Sequence, residues 1–255
     1  MKRFLGARPW LLVAAAMAIG LAGYYGPWVP HRAAGLVVVG LDLGEYVKFL
    51  PQVASGAVRL HRELFYLPLL AGSVSGALFA SRRALPSWGR TLSALAAIPL
   101  ALAMLPPAWN PAVLATAEFR IQVIAIAVCL LLIMPGIFLT RHLPDRQALA
   151  IIAMLAAAAA VIPAWEFLKV RPEIEQLYTH ALPLGWGWWA TLLGNLSASA
   201  VALASLITAA PDGPHPSQDG GRSTCFGYLD RPEEEQSPRQ SSQQDQESPA
   251  AGRQL

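Results

Sequence analysis

The stretch LFYLPLLAGSVSGALFAS, residues 64–81, decides the fold class because it holds eighteen residues without a charge between Glu63 and Arg82. A helix rises about 1.5 Å per residue, so about 20 apolar residues cross a hydrocarbon core about 30 Å thick. A charged side chain at the centre of that core costs about 2.5 to 3.5 kcal/mol. The uncharged gaps between successive charges therefore locate the candidate membrane spans.

Five other gaps between charged residues are long enough to span a bilayer. They enclose 23 residues after Arg8, 27 after Arg90, 20 after Arg120, 19 after Arg146 and 36 after Glu175. Together the gaps predict an all-α bundle of six transmembrane helices, at residues 9–29, 64–81, 91–108, 121–139, 147–165 and 186–209.

The overall composition agrees with a membrane protein. Hydrophobic residues make up 55% of the chain and charged residues 14%, and the mean hydropathy is +0.42, which is atypical of a water-soluble globule. The 19 basic residues exceed the 16 acidic ones by only three, and they interrupt apolar segments instead of forming the basic face of a nucleic-acid binder. The sequence therefore predicts the lipid bilayer, and not nucleic acid, as a partner.

The chain divides into two parts by composition. Residues 1–210 form the predicted polytopic transmembrane domain, whereas residues 211–255 are rich in Pro, Ser, Gln and Gly and are predicted to be a disordered polar tail. The tail is either a docking segment for a cytoplasmic partner or a solubilising extension.

The first span has the basic start of a cleaved signal peptide, but its apolar run is longer than such a peptide needs. The run continues through Tyr24, Tyr25 and Trp28, aromatic residues that suit the bilayer interface. We therefore predict a retained helix.

Basic residues at the helix ends predict the orientation. Lys2, Arg3 and Arg8 precede the first span, and Arg82 and Arg83 lie between the second and third spans. Because loops on the cytoplasmic side carry an excess of basic residues, we predict a multi-pass protein of the cytoplasmic membrane with both termini inside.

The connection between the first two spans is the longest, and it is too apolar for an ordinary loop. Asp42 followed by Glu45 resembles a capping box, in which both side chains bind backbone amides at the start of a helix. We predict a short interfacial or re-entrant helix from Asp42 to Leu50, ended by Pro51. The two carboxylates either cap that helix or contact a substrate or ion.

On this topology most acidic residues before the tail lie on the extracytoplasmic side, together with several arginines. These groups could converge on one ligand-binding site, pair with one another, or simply mark helix ends that reach the interface. The candidate residues are Asp42, Glu45, Arg59, Arg62, Glu63, Glu118, Arg120 and Glu166.

Known catalytic motifs are absent from the sequence. The segment His61-Arg62-Glu63 does not supply the HExxH pattern of a zinc protease, and the serines near Gly72 and Gly76 fit neither GxSG nor GxSxG. There is no Walker A loop, and the two cysteines are not paired by spacing. We therefore predict no catalytic residue, no metal site and no cofactor.

These observations favour a non-catalytic, permease-like or scaffold subunit of a larger membrane complex. Its partners would be other membrane subunits or a cytoplasmic ATPase. The competing hypothesis is a membrane enzyme that acts on a lipid-type substrate at the extracytoplasmic interface, and a third is a membrane protein whose tail recruits a cytoplasmic partner.

Overall fold

The computed structural model describes residues 7–31, 37–105, 110–114, 116–117, 119–133, 142–178 and 181–208. Within these residues the fold is all-α, with two very short strands. The α-helices are α1 (Ala7–Tyr24), α2 (Gly40–Tyr46), α3 (Pro51–Ala54), α4 (Leu67–Ser81), α5 (Ser87–Leu102), α6 (Pro111–Leu114), α7 (Arg120–Ile133), α8 (Asp145–Tyr178) and α9 (Trp186–Thr208). The 3-10 helices are Val47–Phe49 and Arg62–Tyr66, and the antiparallel strands are β1 (Pro27–Val29) and β2 (Val38–Val39).

Four helical segments of the described chain are long and apolar enough to cross a membrane. They are α1, the segment Arg62–Ser81, α8 and α9. Helices α5 and α7 overlap the third and fourth predicted segments but begin before them, at Ser87 and Arg120, and have 16 and 14 residues. The predicted ends of those two segments reach into residues 106–109 and 134–141, which lie outside the described residues, as does the predicted tail.

Two helices differ clearly from their predicted bounds. The first ends at Tyr24 and not at residue 29, because the chain then forms β1 and pairs with β2. The fifth does not end at residue 165 but continues to Tyr178, through Pro163 and Pro172. At about 1.5 Å per residue this helix is about 50 Å long, so it extends well beyond a hydrocarbon core.

Glycines bring α1 and α9 into backbone contact. A Cβ added to Gly194 would collide with the backbone nitrogen of Gly20, and one added to Gly23 would collide with that of Thr191. Small residues at such positions allow membrane helices to pack closely. Helices α1 and α9 therefore pack with their backbones in contact.

The core consists of two clusters, one toward each end of the bundle. One includes Tyr24, Trp28 and Phe167, and we call this the Glu45 end. The other includes Trp10 and Phe79, and we call this the Arg82 end. Helix α1 runs from the Arg82 end to the Glu45 end, and α4 runs back.

The predicted short helix between the first two spans is present, but the predicted capping box is wrong. Helix α2 begins after Val39, which makes no side-chain cap, and Asp42 lies inside the first turn. Glu45 does not reach back to the backbone because basic and hydroxyl side chains bind its carboxylate. A Cβ added to Gly44 would lie 2.8 Å from the Tyr66 ring, so this helix packs closely on the start of the second span.

Candidate functional site

Glu45 lies at the centre of a polar cluster at its end of the bundle. Lys48 Nζ lies 2.6 Å from Glu45 Oε2, one helical turn further along the chain. Arg62 Nη1 lies 3.6 Å from Glu45 Oε1, and the Tyr66 hydroxyl donates to the same oxygen at 3.3 Å. The carboxylate thus joins α2 to the 3-10 helix that opens the second span.

The cations of this cluster also contact an aromatic ring. The Arg62 guanidinium lies 4.9 Å and Lys48 Nζ 5.9 Å from the centre of the Phe119 ring. Arg62 additionally lies 3.6 Å from Glu63 Oε1, and its side chain is only 13% exposed. A cation over an aromatic face is stabilised by about 0.5 to 2 kcal/mol, so Phe119 fixes the entry to α7 against the Glu45 cluster.

A second contact holds α2 to the end of α8. The Tyr46 and Tyr178 side chains are hydrogen bonded, and burial together with that neighbouring hydroxyl raises the pKa of Tyr46 to about 12. Tyr46 therefore stays neutral at physiological pH. His31 packs edge-on against Tyr178 at 5.5 Å, so the segment that follows β1 and helix α2 both contact the same residue of α8.

The sequence placed Glu166 at the end of the fifth predicted span. In the structure Glu166 lies inside α8 instead. The side chain is buried, and its Oε1 accepts a hydrogen bond from Lys169 Nζ at 2.6 Å. Its Oε2 is buried with no hydrogen-bond partner among the residues that the structure describes. The neighbouring Phe167 packs edge-on against Trp28 at 5.4 Å.

The structure thus brings together three of the eight predicted site residues, namely Glu45, Arg62 and Glu63. Asp42, Arg59 and Arg120 are exposed on the same end of the bundle, and Glu166 pairs with Lys169. Glu118 lies outside the described residues.

Sequence reasoning missed four residues that complete these contacts. The spacing of Lys48 after Glu45 and of Lys169 after Glu166 is three residues in each case, which places the partners on one helix face and could have indicated both pairs. Tyr66 and Phe119 gave no such signal, because their contacts depend on how α2, α4 and α7 meet.

The Arg82 end carries a contact of a different kind. Arg82 is 4% exposed, and its Nη1 donates to Leu143 O at 2.8 Å and to Asp145 Oδ1 at 3.0 Å. Its Nε donates to Ser81 Oγ at 3.1 Å, and the guanidinium lies 5.8 Å from the centre of the Trp10 ring. One arginine therefore ties together the start of α1, the end of α4 and the start of α8.

Among the described residues, no group of three or more His, Cys, Asp or Glu side chains is arranged to hold a metal ion. Comparison with known proteins gave no match to a family model, to a curated protein or to a solved structure.

Proposed function

We propose that this protein is a non-catalytic, six-span subunit of the cytoplasmic membrane, which serves as a permease-like or scaffold component of a larger membrane complex. One observation carries the proposal: the carboxylate of Glu45 binds Lys48, Arg62 and Tyr66 of its own chain. These contacts fasten the connection between the first two spans onto the bundle, as a rigid platform requires.

Contacts among α4, the α5 segment and α7 support the six-span arrangement. Ser73 Oγ of α4 donates to Ala97 O of α5 at 3.0 Å, and Gln122 of α7 donates through Nε2 to Met104 O. A Cβ added to Gly76 would lie 3.0 Å from Ser93 O, so α4 and α5 pack closely. Both shorter helices are therefore integral to the bundle formed by the longer ones.

The distribution of charge supports the proposed orientation. Among the described residues, the Arg82 end has one acidic residue, Asp145, and these basic residues: Arg8, Arg82, Arg83, Arg90 and Arg146. Cytoplasmic ends of membrane proteins carry such an excess. The Glu45 end would then face the extracytoplasmic side.

A second candidate, an enzyme acting on a lipid-type substrate at the extracytoplasmic interface, is favoured by Glu166. A buried carboxylate oxygen without a hydrogen-bond partner is a feature of functional sites as well as of strained cores. In that case Asp42 and Arg59, both exposed at the same end, would contact the substrate headgroup.

Purification of the tagged full-length chain from its native membrane in a gentle detergent, followed by mass spectrometry, tests the proposal. We expect other membrane subunits or a cytoplasmic ATPase to co-purify in stoichiometric amounts. Glu45→Gln should weaken that association, because the platform loses two ion pairs, whereas the exposed Asp42→Asn should leave it intact.

Recovery of the wild-type chain alone would contradict the subunit proposal. A loss of cellular function in Glu166→Gln or Asp42→Asn at normal membrane abundance would instead favour the enzyme. Comparison of abundance and function in the same strains separates these two results.

A further inference from the structure

A cleft opens at the Arg82 end, between the α4–α5 connection and the start of α8. It has a volume of about 570 Å³, and its wall includes Arg82, Arg83, His142, Leu143 and Asp145. This cleft lies at the opposite end of the bundle from the Glu45 cluster, and nothing in the proposed subunit function requires it.

The charge of the cleft is positive. Arg82 is buried and bound to Asp145, so these two charges balance and form a fixed part of the wall. Arg83 is the adjacent residue and is exposed, and His142 on the other side of the cleft is exposed as well. An anion in the cleft would therefore meet one full positive charge and one imidazole that can donate a hydrogen bond.

The start of α8 adds a further attraction for anions. The first helical hydrogen bond runs from Ala148 N to Pro144 O at 3.1 Å, and Pro144 and Asp145 both line the cleft. A long helix carries a partial positive charge at its N-terminus, where its first amides point out of the helix end. Helix α8 has 34 residues, so its dipole is fully developed.

The cleft also has the surroundings of a membrane interface. Trp88, in the first turn of α5, is 67% exposed, and Leu92 on the next turn is 60% exposed. Tryptophan concentrates where a bilayer meets water, and leucine on the same helix would continue into the acyl region. A group bound beside Arg83 would lie at the level of lipid headgroups.

We propose that this cleft binds a phosphate group, with Arg83 and His142 as its side-chain contacts and the N-terminal end of α8 adding its partial positive charge. Arginine and helix N-termini both bind phosphate oxygens through charge-assisted hydrogen bonds. The phosphate belongs either to an anionic phospholipid of the adjacent leaflet or to a free phosphate anion.

The test uses the full-length protein in detergent, titrated with phosphatidylglycerol, with phosphatidylcholine and with inorganic phosphate. The readouts are the thermal unfolding midpoint and the lipid adducts that native mass spectrometry resolves. The variants are Arg83→Gln, His142→Gln and, as a matched control, Arg90→Gln, which removes an arginine at the same end but outside the cleft. Arg83 and His142 are exposed, so both variants should fold.

We expect phosphatidylglycerol to bind the wild type and the Arg90→Gln control with equal affinity. Its affinity for Arg83→Gln should be about tenfold lower, and its affinity for His142→Gln should lie between these two values. Stabilisation by inorganic phosphate that depends on Arg83 in the same way would also support the site and would assign it to a free anion. Equal binding of both anions to the wild type and to Arg83→Gln, or an equal loss in Arg90→Gln, would overturn the proposal, because the attraction would then come from diffuse positive charge.

Discussion

At the Glu45 end the described residues include equal numbers of acidic and basic side chains, whereas at the Arg82 end five arginines accompany a single carboxylate. The charges of the Glu45 end mostly bind one another across short distances, as in the pairs of Glu45 with Lys48 and of Glu166 with Lys169. At the Arg82 end, the buried Arg82 makes a contact of that kind with Asp145.

This difference indicates separate roles for the two ends. Paired charges of opposite sign fasten a connection to the bundle and leave little net field. An excess of one sign orients the chain in the membrane and attracts anions. In our proposal, the same residue types thus serve folding at one end and anion recognition at the other.

The largest expected effect comes from disrupting the packing of α1 against α9, two helices that contribute to the core at both ends of the bundle. Gly194→Leu places a side chain where α9 touches the backbone of α1 at Gly20, so the two helices must separate. We expect most of the protein to disappear from the membrane fraction in a quantitative immunoblot. Ala200→Leu, on the exposed face of the same helix, is the control and should keep normal abundance. Equal abundance of the two variants would show that this contact is not needed for folding.

Removal of the buried arginine should destabilise the Arg82 end alone. Arg82→Ala leaves Leu143 O and the carboxylate of Asp145 without their donor, and we expect a loss of about 3 kcal/mol, at the lower end of the range for broken buried pairs because Asp145 is 43% exposed. Thermal unfolding in detergent measures the loss. Arg83→Ala, one residue further on and exposed, should change stability by less than about 0.5 kcal/mol. Similar losses of stability in both variants would show that the buried Arg82 and the exposed Arg83 do not differ in their contribution to folding.

Neutralising the central carboxylate should have a smaller effect at the Glu45 end. Glu45→Gln removes the ion pairs with Lys48 and Arg62 but can keep the hydrogen bond from Tyr66, and at 22% exposure of the side chain we expect a loss of about 1 kcal/mol. The loss should shrink in the Arg62→Met background, because one of the two pairs is already gone. If the stability losses of the two single variants simply add in the double variant, measured by the same unfolding assay, the contact between Glu45 and Arg62 is contradicted.

The smallest effect is expected at Asp42. Its side chain is exposed in the first turn of α2 and caps nothing, so Asp42→Asn should change the unfolding free energy by less than about 0.5 kcal/mol. A loss of more than about 1 kcal/mol would restore the capping role that the sequence predicted.

The charge gaps in the sequence locate the helices well because the cost of a charge in hydrocarbon is large and local. Helix α9 runs from Trp186 to Thr208, almost the segment predicted. The same rule misplaced the end of α8, because Glu166 was treated as the end of a span, although Lys169 one turn later neutralises it and the helix continues.

The candidate site was less predictable from the sequence than the helices. Charged residue types on one side of the membrane pointed to Glu45, Arg62 and Glu63, but the contact with Phe119 joins residues that are far apart in the chain. The buried role of Arg82 was also missed, since an Arg-Arg pair in a loop resembles two exposed charges. The packing of Trp10 and Asp145 around Arg82 is what distinguishes this residue from Arg83.

The most direct test of the account is cysteine labelling in intact cells, because the central claim places the two ends on opposite sides of the membrane. Asp42→Cys and Arg83→Cys are introduced singly into a chain in which Cys129 and Cys225 are replaced, and a membrane-impermeant maleimide is added before or after lysis. We predict that Asp42→Cys is labelled in intact cells and that Arg83→Cys is labelled only after lysis. The reverse pattern, or labelling of both positions from the same side, would contradict the account.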